Sequence, residues 1–384
     1  MRANRDIGAA VIGGGFIGTA HVEALRRLNV AVRGLLEQTP DLGSRRADEL
    51  GLARAYASLD ELLADPAVEV VHVASPNALH YPQVRQILQA GRHVVCEKPL
   101  ATTSAESAAL AVEARAAGVV AAVNFNLRFY PLNQHVRQMV AEGGIGVPRL
   151  ISGHYLQDWL LFDTDWNWRL EPEVGGELRA VADIGSHWLD LAAFLTGDPI
   201  SHVLADLTTF VPVRRQPTGP SQTFAGAGLG ATVDREIRSE DAASILLRFA
   251  SGARGAVTIS QVSPGRKNSL TYEIDGSVAA AAWDSERPDE LWVGRRDAPN
   301  EILLRNPALM NRAGAAAAFL PGGHAEGFAD TFKAAFAAVY ADGAAGGPSG
   351  SPAYATFDDG HDEMLVNDAI AASARSGTWT EVAR

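Results

Sequence analysis

Short apolar runs ending in glycine or polar turns alternate with stretches of helical period through the first third of the chain. Residues 7–12 form an apolar run, 13–18 a glycine-rich turn and 19–28 a helical segment, with a second strand at 30–36. Further strands at 68–74, 93–96 and 119–123 alternate with helical segments at 81–90 and 104–117. Strands that are apolar at nearly every position belong to a parallel sheet covered on both faces. Their alternation with helices predicts a doubly wound α/β arrangement.

The pattern changes after 124–131. A strand is expected within 147–161, then a loop at 159–176 dense in Trp, Asp and Glu, then a helix at 183–195. From 201 to 303 the chain offers extended segments, among them 243–249, 255–261, 270–274 and 290–293, with no helix long enough for a crossover. That predicts an open, mostly antiparallel sheet in an α+β domain. Residues 216–231, rich in Gly, Thr, Ser and Pro, read as a mobile excursion. Phe328, Phe332, Phe336 and Val339 mark the core face of a helix at 327–340, followed by a flexible connector at 341–352 and a closing helix at 361–375. The expected domains are 1–126 and 127–384.

A chain of 384 residues exceeds one ordinary core, in keeping with two domains. The 33 basic against 45 acidic side chains give a formal charge of −12, which argues against nucleic acid and anionic membranes as partners. One cysteine, Cys96, excludes an internal disulfide and a multi-thiolate metal site, and fits a reducing cytoplasm. No apolar run approaches the roughly 20 residues of a membrane span. The polar start has no leader pattern.

The chemistry gathers where strands end. The segment 93–100 closes an apolar strand with Glu97, Lys98 and Pro99. In open α/β sheets ligands bind outside the carboxyl ends of the strands. Proline restricts Lys98 to extended backbone and permits a cis bond. Gly13, Gly15, Phe16, Ile17 and Gly18 stand between strand and helix, where backbone N–H groups and a helix N-terminus suit a pyrophosphate. Glu37 follows Gly18 by 19 positions, as expected of a carboxylate that holds ribose hydroxyls, which favours NAD. Arg45 and Arg46 are either solvated helix charges or a site for the 2′-phosphate of NADP. Ser75, Pro76, Asn77 and His80 lie at another strand end. Asn77 suits either a nicotinamide-ribose contact or the turn itself, and His80 either the cofactor or a helix start. Asp183 and His187 fall one helical turn apart. They read either as a helix cap and a core histidine or as an oriented acid–base pair of the kind alcohol oxidation requires.

Four of these pieces, the 13–18 turn, Ser75 to His80, Glu97-Lys98-Pro99, and Asp183 to His187 followed by Asp190, occur in an order that resembles the Gfo/Idh/MocA oxidoreductase family over essentially the whole chain. The resemblance implies an N-terminal Rossmann domain binding NAD or NADP, and a C-terminal sheet that builds homodimers or homotetramers. It further implies Lys98 bonding the reacting hydroxyl, Asp183 positioning substrate and His187, and His187 as the general base. Some family members carry tyrosine at the base position or have lost dehydrogenase chemistry.

Substrate recognition is expected from Tyr155, Gln157 and Trp159, alternating along one strand face, and from Asp165, Trp166, Asn167, Trp168 and Arg169. Together they mix flat rings with hydrogen-bonding groups as a sugar or cyclitol requires. Closure of a domain or subunit interface is the competing role for the tryptophans. Arg128 and His324 are further candidates for substrate, with a salt bridge and a helix start as their alternatives. No metal is indicated, since the ten histidines are scattered and hydride transfer to nicotinamide requires none. The expected activity is a sugar, anhydrosugar or cyclitol dehydrogenase. An NAD-using glycosidase of the same fold and a dinucleotide-sensing regulator are its rivals.

Overall fold

The computed structural model describes residues 3–219 and 230–384. The chain forms two compact units, one of Met1–Asn126 with Ala329–Met364, the other of Leu127–Phe328 with Leu365–Arg384.

In the first unit six strands, β1 (Gly8–Ile12), β2 (Ala31–Leu36), β3 (Ala55–Tyr56), β4 (Val70–Val73), β5 (His93–Cys96) and β6 (Ala121–Val123), form one sheet in the order β3-β2-β1-β4-β5-β6. Every pairing in it is parallel. All residues of β1, β4 and β6 are buried, which is why these strands are apolar throughout except at His72 of β4. Strand order reverses between β1 and β4, so Gly13 and Ser75, which follow them, flank the switch point where open α/β sheets bind ligands. The helix Ser104–Ala117 begins where the Thr103 side chain accepts from the Glu106 N–H and ends at Gly118, which takes φ 65°. Cys96 is buried in this core, and burial pushes its thiol pKa up.

The sequence reading assigned the whole of 127–384 to the second domain, whereas 329–364 cluster with the first unit. The helix Phe328–Ala345 explains this, because Phe332, Phe336 and Tyr340 pack on His21 and His72. That helix also runs five residues into the expected connector, where alanines at 341, 344 and 345 sustain it.

In the second unit β7 (Pro148–Leu156), β8 (Ile200–Thr208), β9 (Val213–Pro217), β10 (Thr232–Glu236), β11 (Ala242–Phe249), β12 (Arg254–Ser260), β13 (Ser269–Gly276), β14 (Ala279–Asp284), β15 (Glu290–Arg295), β16 (Glu301–Leu304) and β17 (Thr380–Glu381) follow one another along the chain. Nine of them form a sheet in the order β16-β15-β14-β13-β7-β12-β11-β8-β17. Only the β7–β12 pairing is parallel. Buried residues alternate along β11, and one face of the sheet carries Ile151, Ile245, Val257 and Ile274 into a core shared with the helix Ser186–Thr196. Strands β9 and β10 pair as a separate antiparallel ribbon. The expected excursion at 216–231 therefore has paired strand at its start, and residues 220–229 of it lie outside the described residues.

Candidate active site

The glycine turn after β1 is shaped by close approach. Gly13 takes φ 89°, and a Cβ there would lie 2.6 Å from the Ala74 carbonyl oxygen. A Cβ on Gly18 would lie 1.8 Å from the Gly13 oxygen, so the helix Phe16–Arg27 reaches its position only with glycine there. Gly15 differs, since a Cβ on it would meet nothing within 4 Å. It N-caps the helix without a side-chain cap, and no acidic residue occupies the first turn. Open space before an uncapped helix N-terminus fits the pyrophosphate of a dinucleotide. Phe16 and Ile17 begin the helix rather than precede it, with Phe16 exposed.

Glu37 follows β2, and its Oε1 accepts from the Gly14 N–H at 2.5 Å, so the carboxylate stands on the glycine turn. Arg45 is solvated, but Arg46 is not simply a helix charge. Its Nε donates to the Gly14 carbonyl at 2.9 Å and its Nη2 to the Thr19 hydroxyl at 3.1 Å. Both carboxylate and guanidinium thus sit on the same turn.

At the ends of β4 and β5 the structure joins two expected segments. Ser75 Oγ donates to Gln83, Asn77 is buried in a short 3-10 turn that starts after Pro76, and the Lys98–Pro99 bond is cis. His80, a candidate for cofactor contact, instead opens its helix fully buried, with Nδ1 2.8 Å from the Pro99 carbonyl oxygen and Nε2 2.9 Å from that of Ser75. Both ring nitrogens face backbone carbonyl oxygens, and a neutral ring donates to one of them, so His80 lies wedged between the two segments. Burial pulls its pKa down. Glu97, also expected at the cofactor, is turned inward. His21 Nε2 lies 3.0 Å from its Oε1, and the Asn124 amide donates to the same oxygen at 2.5 Å. Burial alone would raise its pKa, but the hydrogen bond and electrostatic pull of His21, the charge of Lys98 and the Asn124 amide hold the carboxyl at about 2. Lys98 is half-buried at the strand end.

In the second unit, Asp183 lies in a π-helical turn, Val181–Gly185, which runs directly into the helix Ser186–Thr196 carrying His187. Such turns widen a helix locally and recur at functional sites. Arg169 Nε donates to Asp183 Oδ1 at 2.9 Å and Gln261 Nε2 to Oδ2 at 2.8 Å, so both oxygens are oriented. His187 is buried, and the Tyr155 ring stands 6.5 Å from its ring. The turn is anchored by buried charge: Glu240 Oε1 accepts from the N–H groups of Arg179 and Val181 at 2.9 Å each. Arg179 and Arg214 share Asp241, all three side chains fully buried. Arg179 also reaches Gln261, linking this cluster to Asp183.

Several expected substrate residues are held by other groups of the protein. Arg169 is bound to Asp183 and lies over the Trp168 ring at 4.3 Å. Arg128 makes a buried two-pronged salt bridge to Asp190, the second of its two expected roles. Strand β7 stops at Leu156, so Gln157 and Trp159 do not continue its face. Gln157 and Tyr155 both donate to Asn268 Oδ1 at 2.8 Å, and Trp159 donates to Gln157. The Asp165 carboxylate accepts from the Phe162 N–H within its own turn, and Trp166 packs on a small cluster of Leu160, Leu170 and Ile237. His324 is exposed four residues before the helix at Phe328, and its backbone carbonyl accepts from Arg305. Gln261, Asn268, Arg179, Glu240 and Asp241 escaped the sequence reading. The one trace they left is charged or amide residues inside or beside apolar strands.

Residues 7–125 match the family described as "Oxidoreductase family, NAD-binding Rossmann fold", and 133–282 match "GFO/IDH/MocA C-terminal domain". Levoglucosan dehydrogenase of Pseudarthrobacter phenanthrenivorans is 30% identical over 98% of this chain and 98% of its own. Myo-inositol 2-dehydrogenase of Thermotoga maritima is 29% identical over 64% of this chain and 66% of its own. A solved levoglucosan dehydrogenase complex with NADH and levoglucosan superposes with a TM-score of 0.87 at 28% identity, covering 98% of this chain and 99% of that one. Among the described residues no helix is long and apolar enough to cross a membrane. With both halves matched in order and a relative aligned almost end to end, the chain belongs to the Gfo/Idh/MocA family of oxidoreductases, whose N-terminal unit is an NAD-binding Rossmann fold.

Proposed function

We propose that this protein is a dehydrogenase that moves a hydride between a carbinol carbon of a sugar, anhydrosugar or cyclitol and nicotinamide, with NAD favoured over NADP. The observation that carries the reading is the Asp183 and His187 pair, with Asp183 held by Arg169 and Gln261, in a chain whose other unit has the glycine turn and Glu37 of a dinucleotide site. The cofactor supplies the hydride acceptor. Lys98 hydrogen-bonds the reacting hydroxyl and offsets negative charge developing on its oxygen. His187 takes the hydroxyl proton as hydride leaves carbon, and returns it when the carbonyl is reduced. Asp183, fixed on both oxygens, orients His187 and the substrate. Tyr155, buried and hydrogen-bonded to Asn268, provides a rigid wall near His187.

Glu37 supports NAD, because a carboxylate on the glycine turn accepts from ribose hydroxyls and repels a 2′-phosphate. The named relatives act on levoglucosan and myo-inositol, which makes anhydrosugars and cyclitols the first substrates to try. The outer face of the second unit's sheet presents Leu150 and Leu246, 42% and 47% exposed, which supports a homo-oligomer formed through that sheet.

Reduced-nicotinamide absorbance, followed while levoglucosan, aldoses and inositols are each offered with NAD and with NADP, tests the reading. Sustained reduction with at least one polyol is expected, faster with NAD. Cofactor binding without reduction by any member of the panel would overturn it.

A further inference from the structure

Four buried side chains of the first unit form a single file that ends at the residue before Lys98. The Tyr340 hydroxyl lies 3.0 Å from His72 Nε2, His72 Nδ1 lies 3.0 Å from His21 Nδ1, and His21 Nε2 lies 3.0 Å from Glu97 Oε1. His21, His72 and Tyr340 are fully buried, and Glu97 is 7% exposed. Aromatic rings enclose the file: Phe336 stands 4.8 Å from His21 and 4.7 Å from His72, and Phe332 stands 5.6 Å from His21. Polar atoms this deep need a reason, since each is costly unless bonded.

Hydrogen positions in the file follow from counting donors and acceptors. Glu97 is ionised and only accepts, so His21 must donate through Nε2. The contact between the two Nδ1 atoms needs one donor, and His72 supplies it to His21. His72 consequently accepts at Nε2, from the Tyr340 hydroxyl. Burial keeps His72 neutral, while burial and the nearby Glu69 keep Tyr340 protonated. Every N–H and O–H in this arrangement meets an acceptor. Reversing it leaves a lone pair of His21 facing a carboxylate and strips Tyr340 of its hydrogen-bond acceptor in the file. The one-directional file is therefore the arrangement in which every donor is used.

Resting on the dehydrogenase reading, we propose that His21 and His72 are positioning residues for the reaction: with Tyr340 they form a polarised hydrogen-bond file that holds Glu97 fixed and ionised as the counter-charge of Lys98. Lys98 is among the charges that lower the pKa of Glu97, so the two groups interact electrostatically. Neither histidine touches substrate or cofactor in this role. Both act through Glu97 on the placement of Lys98, the next residue. Aligned dipoles strengthen one another along such a file, which gives Tyr340, at its far end, a share in the effect.

Two readouts test this on the full-length protein. In 15N-labelled protein saturated with NADH, the imidazole nitrogen shifts at neutral pH should show both rings neutral, His21 protonated at Nε2 and His72 at Nδ1, with the His21→Gln and His72→Gln variants assigning these two among the ten histidines. A doubly protonated His21, or the same tautomer in both rings, would overturn the file. The second readout is kinetic: Tyr340→Phe should lower kcat about tenfold with NADH affinity nearly unchanged and the melting temperature lowered by a few degrees as His72 Nε2 loses its donor, the scale of one lost buried hydrogen bond. His21→Gln, whose amide can still donate to Glu97, should retain more kcat than His21→Leu. An unchanged kcat in Tyr340→Phe, or equal losses in the two His21 variants, would remove the positioning role even with the tautomers as expected. If no polyol is oxidised by the parent protein, the dehydrogenase reading fails alone, because the nitrogen shifts are read without substrate.

Discussion

Arg169 Nε and Asp183 Oδ1 are joined by a 2.9 Å hydrogen bond between groups that are largely buried. Arg169 had been expected to meet substrate. Its guanidinium holds Asp183, the carboxylate that orients His187 in the proposed mechanism. Arg169→Ala should lower kcat about tenfold, the effect of one charge-assisted hydrogen bond lost near the transition state, and change substrate KM much less. Arg169→Lys should recover part of the loss. Steady-state kinetics on the best polyol substrate would decide, and a rise in KM alone would return Arg169 to substrate binding.

Lys98→Ala should leave NADH binding in place and reduce turnover by at least about 100-fold, the lower scale for a group placed at the proton in flight. Fluorescence titration with NADH beside the turnover assay separates the two effects. Near-normal turnover would exclude Lys98 from the chemistry.

Glu37→Ala removes the carboxylate from the glycine turn and leaves Arg46 on it, bonded to Gly14 and Thr19. The ratio of kcat/KM for NAD to that for NADP should fall about tenfold or more, as repulsion of the 2′-phosphate is lost and a guanidinium remains. An unchanged ratio would mean that Glu37 does not read the ribose.

Asp241 serves two buried arginines, Arg179 and Arg214. Asp241→Asn leaves both guanidinium groups without their countercharge and should cost about 3–5 kcal/mol of stability, measured by urea unfolding. Turnover should fall as well, because Arg179 hydrogen-bonds Gln261 and Gln261 hydrogen-bonds Asp183.

Glu97 makes stability depend on acid. Its folded pKa of about 2 lies below the ordinary value of 4.5, so the unfolded chain takes up this proton first as pH falls. The contribution is complete above about pH 4.5 and is lost progressively towards pH 2. Glu97→Gln should therefore be less stable than the parent at neutral pH by about 2 kcal/mol, and the difference should shrink through that window. Unfolding curves collected between pH 6 and 2 would show it, and a pH-independent difference would rule it out.

The sequence by itself determined what short-range pattern can determine. Unbroken apolar runs at β1 and β6 announce strands buried on both faces, and the alternating residues of β11 announce a sheet with one buried face. Gly13 and Gly18 stand where only glycine fits, so the turn was legible in the residues themselves. Asp183 and His187 were legible because a helical turn separates them, although the π-helical geometry of that turn was not.

Tertiary structure decided who meets whom. Arg169, Gln261 and Asp183 converge from places up to 92 positions apart, and Tyr340 meets His72 across 268. No local period records such a meeting. An arginine in a loop looks the same whether it faces water, substrate or a buried carboxylate, because burial that compels a charge to find its partner exists only once distant segments have packed. The same holds for the helix Phe328–Ala345, whose aromatic face was plain in the sequence while its place against His21 and His72 was settled by the fold.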